Sequence, residues 1–378
     1  IFTVVKYLQD INLSETDLDA KGLAFQSFMS GFFRGDFGQY FTPNDIVKFI
    51  VDSLNITNED KVLDTSCGSG GFLLHALKKV RDEADETYED KDSRYWYNHW
   101  HDFASKHLFG IEINEQISRV AKMNMIIHDD GHTNVVTNDA LKNPNTIQKE
   151  NHNLDFIDGS FDLIMTNPPF GSVVKASESP YYKDYELFET NLGIAETKER
   201  IESDDDKKKW KTSQSTEILF LERCYRYLRE GGFLAIVLPD GVLTNSSSQY
   251  VRDWLFEKYR IVAVVSLPQH TFSHVNAGVK SSVLFLRKHE LSITRSLEKM
   301  LARIKEAVND DKSILKSEKA NAILERYKKE AFSILPDYEV LMLEVENVGY
   351  DATGRKKDGS ELPIVSEKIR NFISKQGW

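Results

Sequence analysis

Short apolar runs alternate with amphipathic stretches along most of the chain: KVLD then FLLHALKKV, HLFGIEI then NEQISRVAKMNMIIH, and further on NVVTND, FDLIMTNPP, FLAIVLP, IVAVVSLP and SSVLFLRK. The runs are near-continuous Val, Ile and Leu, the pattern of strands covered on both faces, and the stretches between them carry helical spacing. This order predicts an α/β fold, a doubly wound and mostly parallel sheet with helices on both sides, carrying helical appendages.

Three regions break the rhythm. Residues 81–106 mix the acidic run DEADETYED with Tyr, Trp and His and read as an insertion at the rim of the sheet. Residues 172–211 form a long connection ending in SDDDKKKWK, the kind of loop that is usually functional or mobile. In residues 290–335, Leu297, Leu301, Ile304 and Val308 recur at helical spacing and are followed by Ile323 and Tyr327, which predicts a helical hairpin. The division that follows is a short N-terminal part (1–38), a main domain (39–289), the hairpin (290–335) and a C-terminal segment (336–378).

With 378 residues and 40% hydrophobic content, the chain can bury one large core with decorations. No stretch is apolar enough to span a bilayer and none reads as a signal peptide, so the cytoplasm is the expected compartment. The chain starts at Ile1 and reads as a fragment. Cys67 and Cys224 are too few for a disulfide framework, and no Cys and His have metal-ligand spacing, so no metal is expected. The net charge of -11 predicts poor DNA binding by the chain alone, because phosphate contacts need Lys and Arg.

The stretch VLDTSCGSGGFLLHAL sets Asp64 at a strand end, then a glycine-rich loop, then a helix. Gly68, Gly70 and Gly71 would let the backbone approach a ligand at the crevice beyond the strand ends. The loop lacks the Gly-Lys-Ser/Thr ending of a triphosphate-binding loop and departs from the G-x-G-x-x-G spacing of nicotinamide binders. Another adenosine-bearing cofactor remains. Glu112, ending the next predicted strand about 48 residues after Asp64 against roughly 20 from the first loop in the dinucleotide fingerprint, is placed to accept hydrogen bonds from ribose hydroxyls. Asp139, after the third, could accept one from an adenine amino group or could cap a turn. Thr42 reads as a helix N-cap, with Pro43 opening the helix, Asp45 in its first turn, and Ile46, Val47, Ile50 and Leu54 on one apolar face. Such a helix start attracts carboxylates.

The sharpest signal is Asn167-Pro168-Pro169-Phe170, directly after FDLIMT. Two prolines fix the backbone, so the Asn167 side chain and the Pro168 carbonyl can present two acceptors to one amino group, with the Phe170 ring free to stack on a flat base. An aryl amine is a poor nucleophile because its lone pair is delocalised. Two acceptors gripping its hydrogens favour a pyramidal nitrogen, and catalysis becomes positioning plus stabilisation of a nitrogen that turns positive.

In this order, GQYFTP (Gln39, Tyr40, Phe41, Thr42 and Pro43), DTSCGSGGF, GIEIN, ND and NPPF resemble the modification subunits of type I restriction-modification systems, which are adenine-N6 DNA methyltransferases of the gamma arrangement. The resemblance covers roughly residues 35–290, and GYDATGRK looks like a further family element. It implies S-adenosylmethionine as cofactor, with its methionine part near Asp64, Gly68 and Gly70, its ribose near Glu112 and its adenine near Asp139. Around these, the residues of GQYFTP, Ser66, Cys67, Ser69, Gly71, Ile113, Ala140 and Asn167 would complete the cofactor contacts, and Asn167 to Phe170 would hold the target base. It further implies double-stranded DNA with a flipped adenine as substrate, a separate subunit that reads the DNA sequence, a restriction (translocase/nuclease) subunit as a further partner, and a larger helical domain of which residues 1–38 are the end.

The same NPPF chemistry would serve methylation of cytosine N4, of guanine in RNA or of glutamine in protein, and a non-catalytic scaffold could keep the fold. The intact NPPF and glycine loop argue against the scaffold, and RNA and protein enzymes are usually smaller and lack GQYFTP before the glycine loop.

Overall fold

The computed structural model describes residues 42–128, 134–189, 210–273, 278–315, 318–331, 333–335 and 337–378, apart from the side chains of 320, 321, 324 and 328. The expectations placed on residues 1–38, on Gln39, Tyr40 and Phe41, and on 190–209 lie outside these residues.

In chain order the elements are α1 (Asn44–Asp52), β1 (Val62–Asp64), α2 (Gly71–Thr87), α3 (Arg94–Asp102), β2 (Leu108–Glu112), α4 (Glu115–Ile127), β3 (Val135–Thr137), α5 (Pro144–Asn151), β4 (Phe161–Thr166), β5 (Val173–Lys175), β6 (Ser213–Ser215), α6 (Thr216–Tyr227), β7 (Leu228–Pro239), α7 (Asp240–Thr244), α8 (Gln249–Lys258), β8 (Tyr259–Ser266), β9 (Ser281–Lys288), α9 (Leu291–Asp310), α10 (Lys319–Ala331), β10 (Leu341–Glu344) and α11 (Leu362–Lys375). Eight strands form one sheet in the order β10-β8-β9-β7-β4-β1-β2-β3, and β5 and β6 pair separately. Every neighbouring pair in the large sheet is parallel except those of β9, which runs against both β7 and β8.

Side chains alternate between two cores, one on each face. On β7, Leu234, Ile236 and Leu238 enter the cluster shared with α6 and α8, while Ala235 and Val237 join α1, α2 and α11 on the other face. This two-sided burial is why the strands read as unbroken apolar runs. Beyond the antiparallel β9, residues 337–378 add β10 to the sheet edge and pack Leu362, Val365, Ile369 and Ile373 of α11 into the same core as α1.

The acidic-aromatic region is more regular than a rim insertion. Its first half simply prolongs α2 as far as Thr87, and α3 folds back with Trp100 buried and the Arg81 guanidinium 4.5 Å from its ring centroid. In the appendage, Leu297, Met300, Ile304 and Val308 of α9 pack against Ile323, Tyr327 and Ala331 of α10 in a small core of their own. Among the described residues no helix is long and apolar enough to cross a membrane, and no cluster of three or more His, Cys, Asp or Glu could hold a metal ion.

Strand order reverses between β1 and β4, since β2 and β3 lie to one side of them and β7 to the other. In such a sheet, the crevice beyond the carboxyl ends of the strands at that reversal is where ligands bind.

Candidate active site

Asp64, Glu112 and Thr166 end β1, β2 and β4, and Asp139 follows β3 by two residues. The topology therefore gathers all four at one edge of the sheet. The glycine-rich loop is drawn over this edge by backbone bonds: the Cys67 N–H donates to Ile111 O (2.9 Å) and the Gly70 N–H to Cys67 O (2.8 Å). Gly68 (φ 53°) and Gly70 (φ 88°) take left-handed conformations that favour glycine, and Gly70 caps α2. Gly71 has no such need: it is the first helical residue, and a Cβ there would only touch Val47 at 3.6 Å.

Both acidic residues hold this loop. Asp64 Oδ1 accepts from the Ser66 N–H (3.0 Å), while Glu112 Oε2 accepts from Gly68 N–H (3.0 Å) and Oε1 from Asn114 N–H (2.8 Å). Each carboxylate oxygen has a second lone pair, so accepting one amide leaves capacity for a ligand hydroxyl or ammonium. Burial, followed in smaller measure by the neighbouring Glu112 charge, pushes the Asp64 carboxyl up to about 7, against the opposing Ser66 and Thr166 hydrogen bonds. Beside Glu112, Ile113 stands 65% exposed and offers an apolar surface to a planar ring. Asp139 accepts from Leu141 N–H (2.9 Å) and from the Tyr181 hydroxyl (2.6 Å), whose proton is held more firmly than usual by burial and by that carboxylate. Ala140 is buried in the core, so only its backbone could meet a ligand. Cys67 and Cys224 are both buried, and desolvation raises their thiols above the usual range, which favours the protonated thiol over a nucleophilic thiolate.

The helix start near Thr42 differs by one residue from the sequence expectation. Pro43 is the N-cap, with its carbonyl accepting the Ile46 and Val47 N–H groups at 3.0 Å, and Asn44 opens the helix. Thr42 makes no cap bond; its hydroxyl instead accepts a 2.9 Å hydrogen bond from Asn167 Nδ2. That bond joins residues 125 positions apart. It also fixes the Asn167 amide, whose Oδ1 is buried and has no hydrogen-bond partner among the described residues. A buried acceptor without a donor costs about 1–3 kcal/mol; Glu83 Oε2, Asn124 Oδ1 and Glu217 Oε2 share that state, but Asn167 has it directly after β4, at the reversal of strand order, where a ligand donor could meet it. Pro168 is buried, and the half-buried Phe170 leans edge-on against Phe272 (centroids 6.5 Å apart, 80° between planes).

Four residues of this site were missed from sequence. Gly110 lies within β2, where a Cβ would fall 2.8 Å from Leu73 Cδ1 and 3.0 Å from Cys67 Sγ, so its lack of a side chain lets the loop descend. Asn124 of α4 donates to Ser69 O (3.0 Å) and pins the loop from the far side. Tyr181 and Phe272 arrive from distant loops. The glycine inside GIEIN was the one legible hint, since an isolated glycine in a strand marks a close backbone approach.

Residues 17–347 match the family model described as N-6 DNA Methylase. The chain belongs to the N-6 DNA methylase family. Among relatives, the type I restriction enzyme EcoEI methylase subunit of Escherichia coli is 26% identical over 255 residues, covering 67% of this chain and 43% of the relative. This N-6 DNA methylase chain thus spans under half the length of that protein. A modification subunit of a putative type I restriction enzyme from Vibrio vulnificus superposes with a TM-score of 0.54 at 20% identity, covering 76% of this chain and 52% of the other. A putative class I S-adenosylmethionine-dependent methyltransferase from Listeria monocytogenes does so with 0.58 at 15% identity, covering 98% and 84%. At these identities the likeness establishes a shared fold.

Proposed function

We propose that this N-6 DNA methylase chain transfers a methyl group from S-adenosylmethionine to the exocyclic amine of an adenine flipped out of double-stranded DNA, as the modification subunit of a type I restriction-modification system. The observation that carries the reading is the buried, partnerless Asn167 Oδ1, oriented by Thr42 at the point where strand order reverses. The donor set fits the cofactor. Acceptors with free lone pairs stand at three successive strand ends, a left-handed glycine loop opens α2, and Ile113 is exposed beside Glu112.

When bound, S-adenosylmethionine supplies a methyl group on a positively charged sulfur, ready for in-line displacement. Asp64 and the glycine loop would hold its methionine part, Glu112 its ribose and Asp139 its adenine. Asn167 Oδ1 and the Pro168 carbonyl take the two hydrogens of the target amine and favour a nitrogen whose lone pair points at the donor. Their hold strengthens as that nitrogen turns positive, which is the differential binding that accelerates the step. Phe170, backed by Phe272, stacks on the base and offsets part of its unstacking. The negative charge fits a chain that leaves DNA reading to a separate, basic specificity subunit, with a restriction subunit as a further partner.

The test is methyl transfer from labelled cofactor to DNA, RNA and protein by the protein alone and with its co-purifying partners, followed by hydrolysis to identify the product. N6-methyladenine in DNA, formed faster with the partners, is expected. Label in cytosine, RNA guanine or protein glutamine, or none anywhere despite cofactor binding, refutes the assignment.

A further inference from the structure

The last paired residues of the β1–β4 ladder are Leu63 and Ile164, so Asp64 at the end of β1 and Thr166 at the end of β4 lie past that pairing. The crevice opens there, and side chains take over. Thr166, the last residue of β4, is completely buried; its Oγ1 lies 2.7 Å from Ser66 Oγ and accepts from Thr65 Oγ1 at 3.1 Å. It also stands close enough to the Asp64 carboxyl to favour its ionised form. Thr65 and Ser66 open the cofactor loop and Asp64 ends the strand before it, whereas the next residue after Thr166 is Asn167, itself tied to Thr42.

We propose that Thr166 is a positioning residue for methyl transfer, its buried hydroxyl clamping the cofactor loop to the strand that ends in Asn167 and so fixing the separation of methyl donor and target amine. This rests on the reading given under Proposed function. A valine would fill the same volume in the strand and make none of these bonds. Misplacement of reacting groups by about 1 Å is enough to lose roughly 100-fold in rate, so a loop held by hydroxyls across an unpaired gap is a point of high leverage. The titratable groups facing Asp64 are Glu112 of β2, Cys67 of the loop and Cys224 of α6, and none of these brings a positive charge. Thr166 therefore helps keep the carboxylate ionised.

Thr166→Val, Thr166→Ser, Ser66→Ala and the Ser66→Ala/Thr166→Val double variant, made in the full-length protein with its partners, test this through two readouts. The first is the pH dependence of S-adenosylmethionine affinity by calorimetry, in which wild-type binding weakens as pH falls through about 7, the value at which Asp64 protonates. Thr166→Val should move that midpoint upward by about one unit, the size of one hydrogen bond to a charged group. The second is single-turnover methyl transfer at saturating cofactor, expected to fall about 10-fold or more in Thr166→Val. Thr166→Ser should keep both near wild type, and the double variant should be no slower than Thr166→Val because both changes break the same clamp. Ser66→Ala, at a half-buried position, supplies the measurement should Thr166→Val not fold.

Wild-type midpoint and rate in Thr166→Val, or in Ser66→Ala where Thr166→Val does not fold, even with a lowered melting temperature, overturn the proposal and leave the methyltransferase reading standing. Equal damage from Thr166→Ser and Thr166→Val does the same. Failure of the wild type to bind cofactor overturns both.

Discussion

Asn167→Ala separates catalysis from stability at a single side chain. In the folded protein its Oδ1 is buried without a partner among the described residues, which costs about 1–3 kcal/mol, while the Nδ2 bond to Thr42 contributes about 0.5–1.5 kcal/mol. Removing both leaves opposed changes of similar size. The alanine variant should therefore unfold within about 1 kcal/mol of wild type, or above it. Its chemistry should suffer far more, because one of two acceptors that tighten on the nitrogen as it becomes positive is gone, a loss that typically lowers the rate about 100-fold to 1,000-fold. Cofactor affinity should barely change. Asn167→Asp keeps an acceptor and the shape, and the Thr42 hydroxyl can turn to donate to it, so partial activity above that of the alanine variant is expected. The assay is single-turnover methyl transfer on the assembled complex, with cofactor titration and denaturant unfolding of the same preparations. Wild-type transfer by Asn167→Ala refutes the assignment of the site. A rate loss matched by an equal loss of cofactor affinity would place the side chain at the cofactor instead.

Asp64 is protonated in the folded, ligand-free protein below about 7 but ionised in the unfolded chain above the ordinary carboxyl value of 3.8, so its contribution to stability is fully present below 3.8 and is lost as pH rises through about 7. That difference amounts to at most about 4 kcal/mol, and Asp64→Asn should remove this slope in denaturant midpoints, gain stability above neutrality and lose cofactor affinity; an unchanged slope would show that Asp64 does not titrate in this range. Phe170→Ala should slow methylation by roughly 10-fold to 100-fold, the equivalent of one base–aromatic stacking contact of roughly 1 to 3 kcal/mol, whereas Phe170→Trp should stay near wild type. Equal damage from both would make the ring a packing element against Phe272. Gly110→Ala should cost about 1–3 kcal/mol of stability by overpacking against Leu73 and Cys67 and should weaken cofactor binding, which thermal melts and titration would report together.

The sequence alone determined the kind of fold, because strands buried on both faces must read as continuous apolar runs and helices that cover them must carry one apolar stripe. It also singled out the candidate site, since two prolines after an asparagine and glycines after a strand-end aspartate constrain the backbone locally whatever surrounds them. Local signals could not reveal contacts between residues far apart in the chain. Thr42 reads as an N-cap because serine, threonine and asparagine usually cap the helix they precede, yet its hydroxyl is taken by Asn167 from 125 residues away, and the cap passes to Pro43. Gly110 becomes necessary only once the Cys67 loop lies over it, and Tyr181 and Phe272 join the site only through the packing of their loops. The elevated Asp64 carboxyl and the partnerless Asn167 oxygen have the same origin. Burial exists only in the tertiary structure, and burial is what turns a carboxyl and an amide of ordinary type into a titrating group near neutrality and an acceptor waiting for a donor.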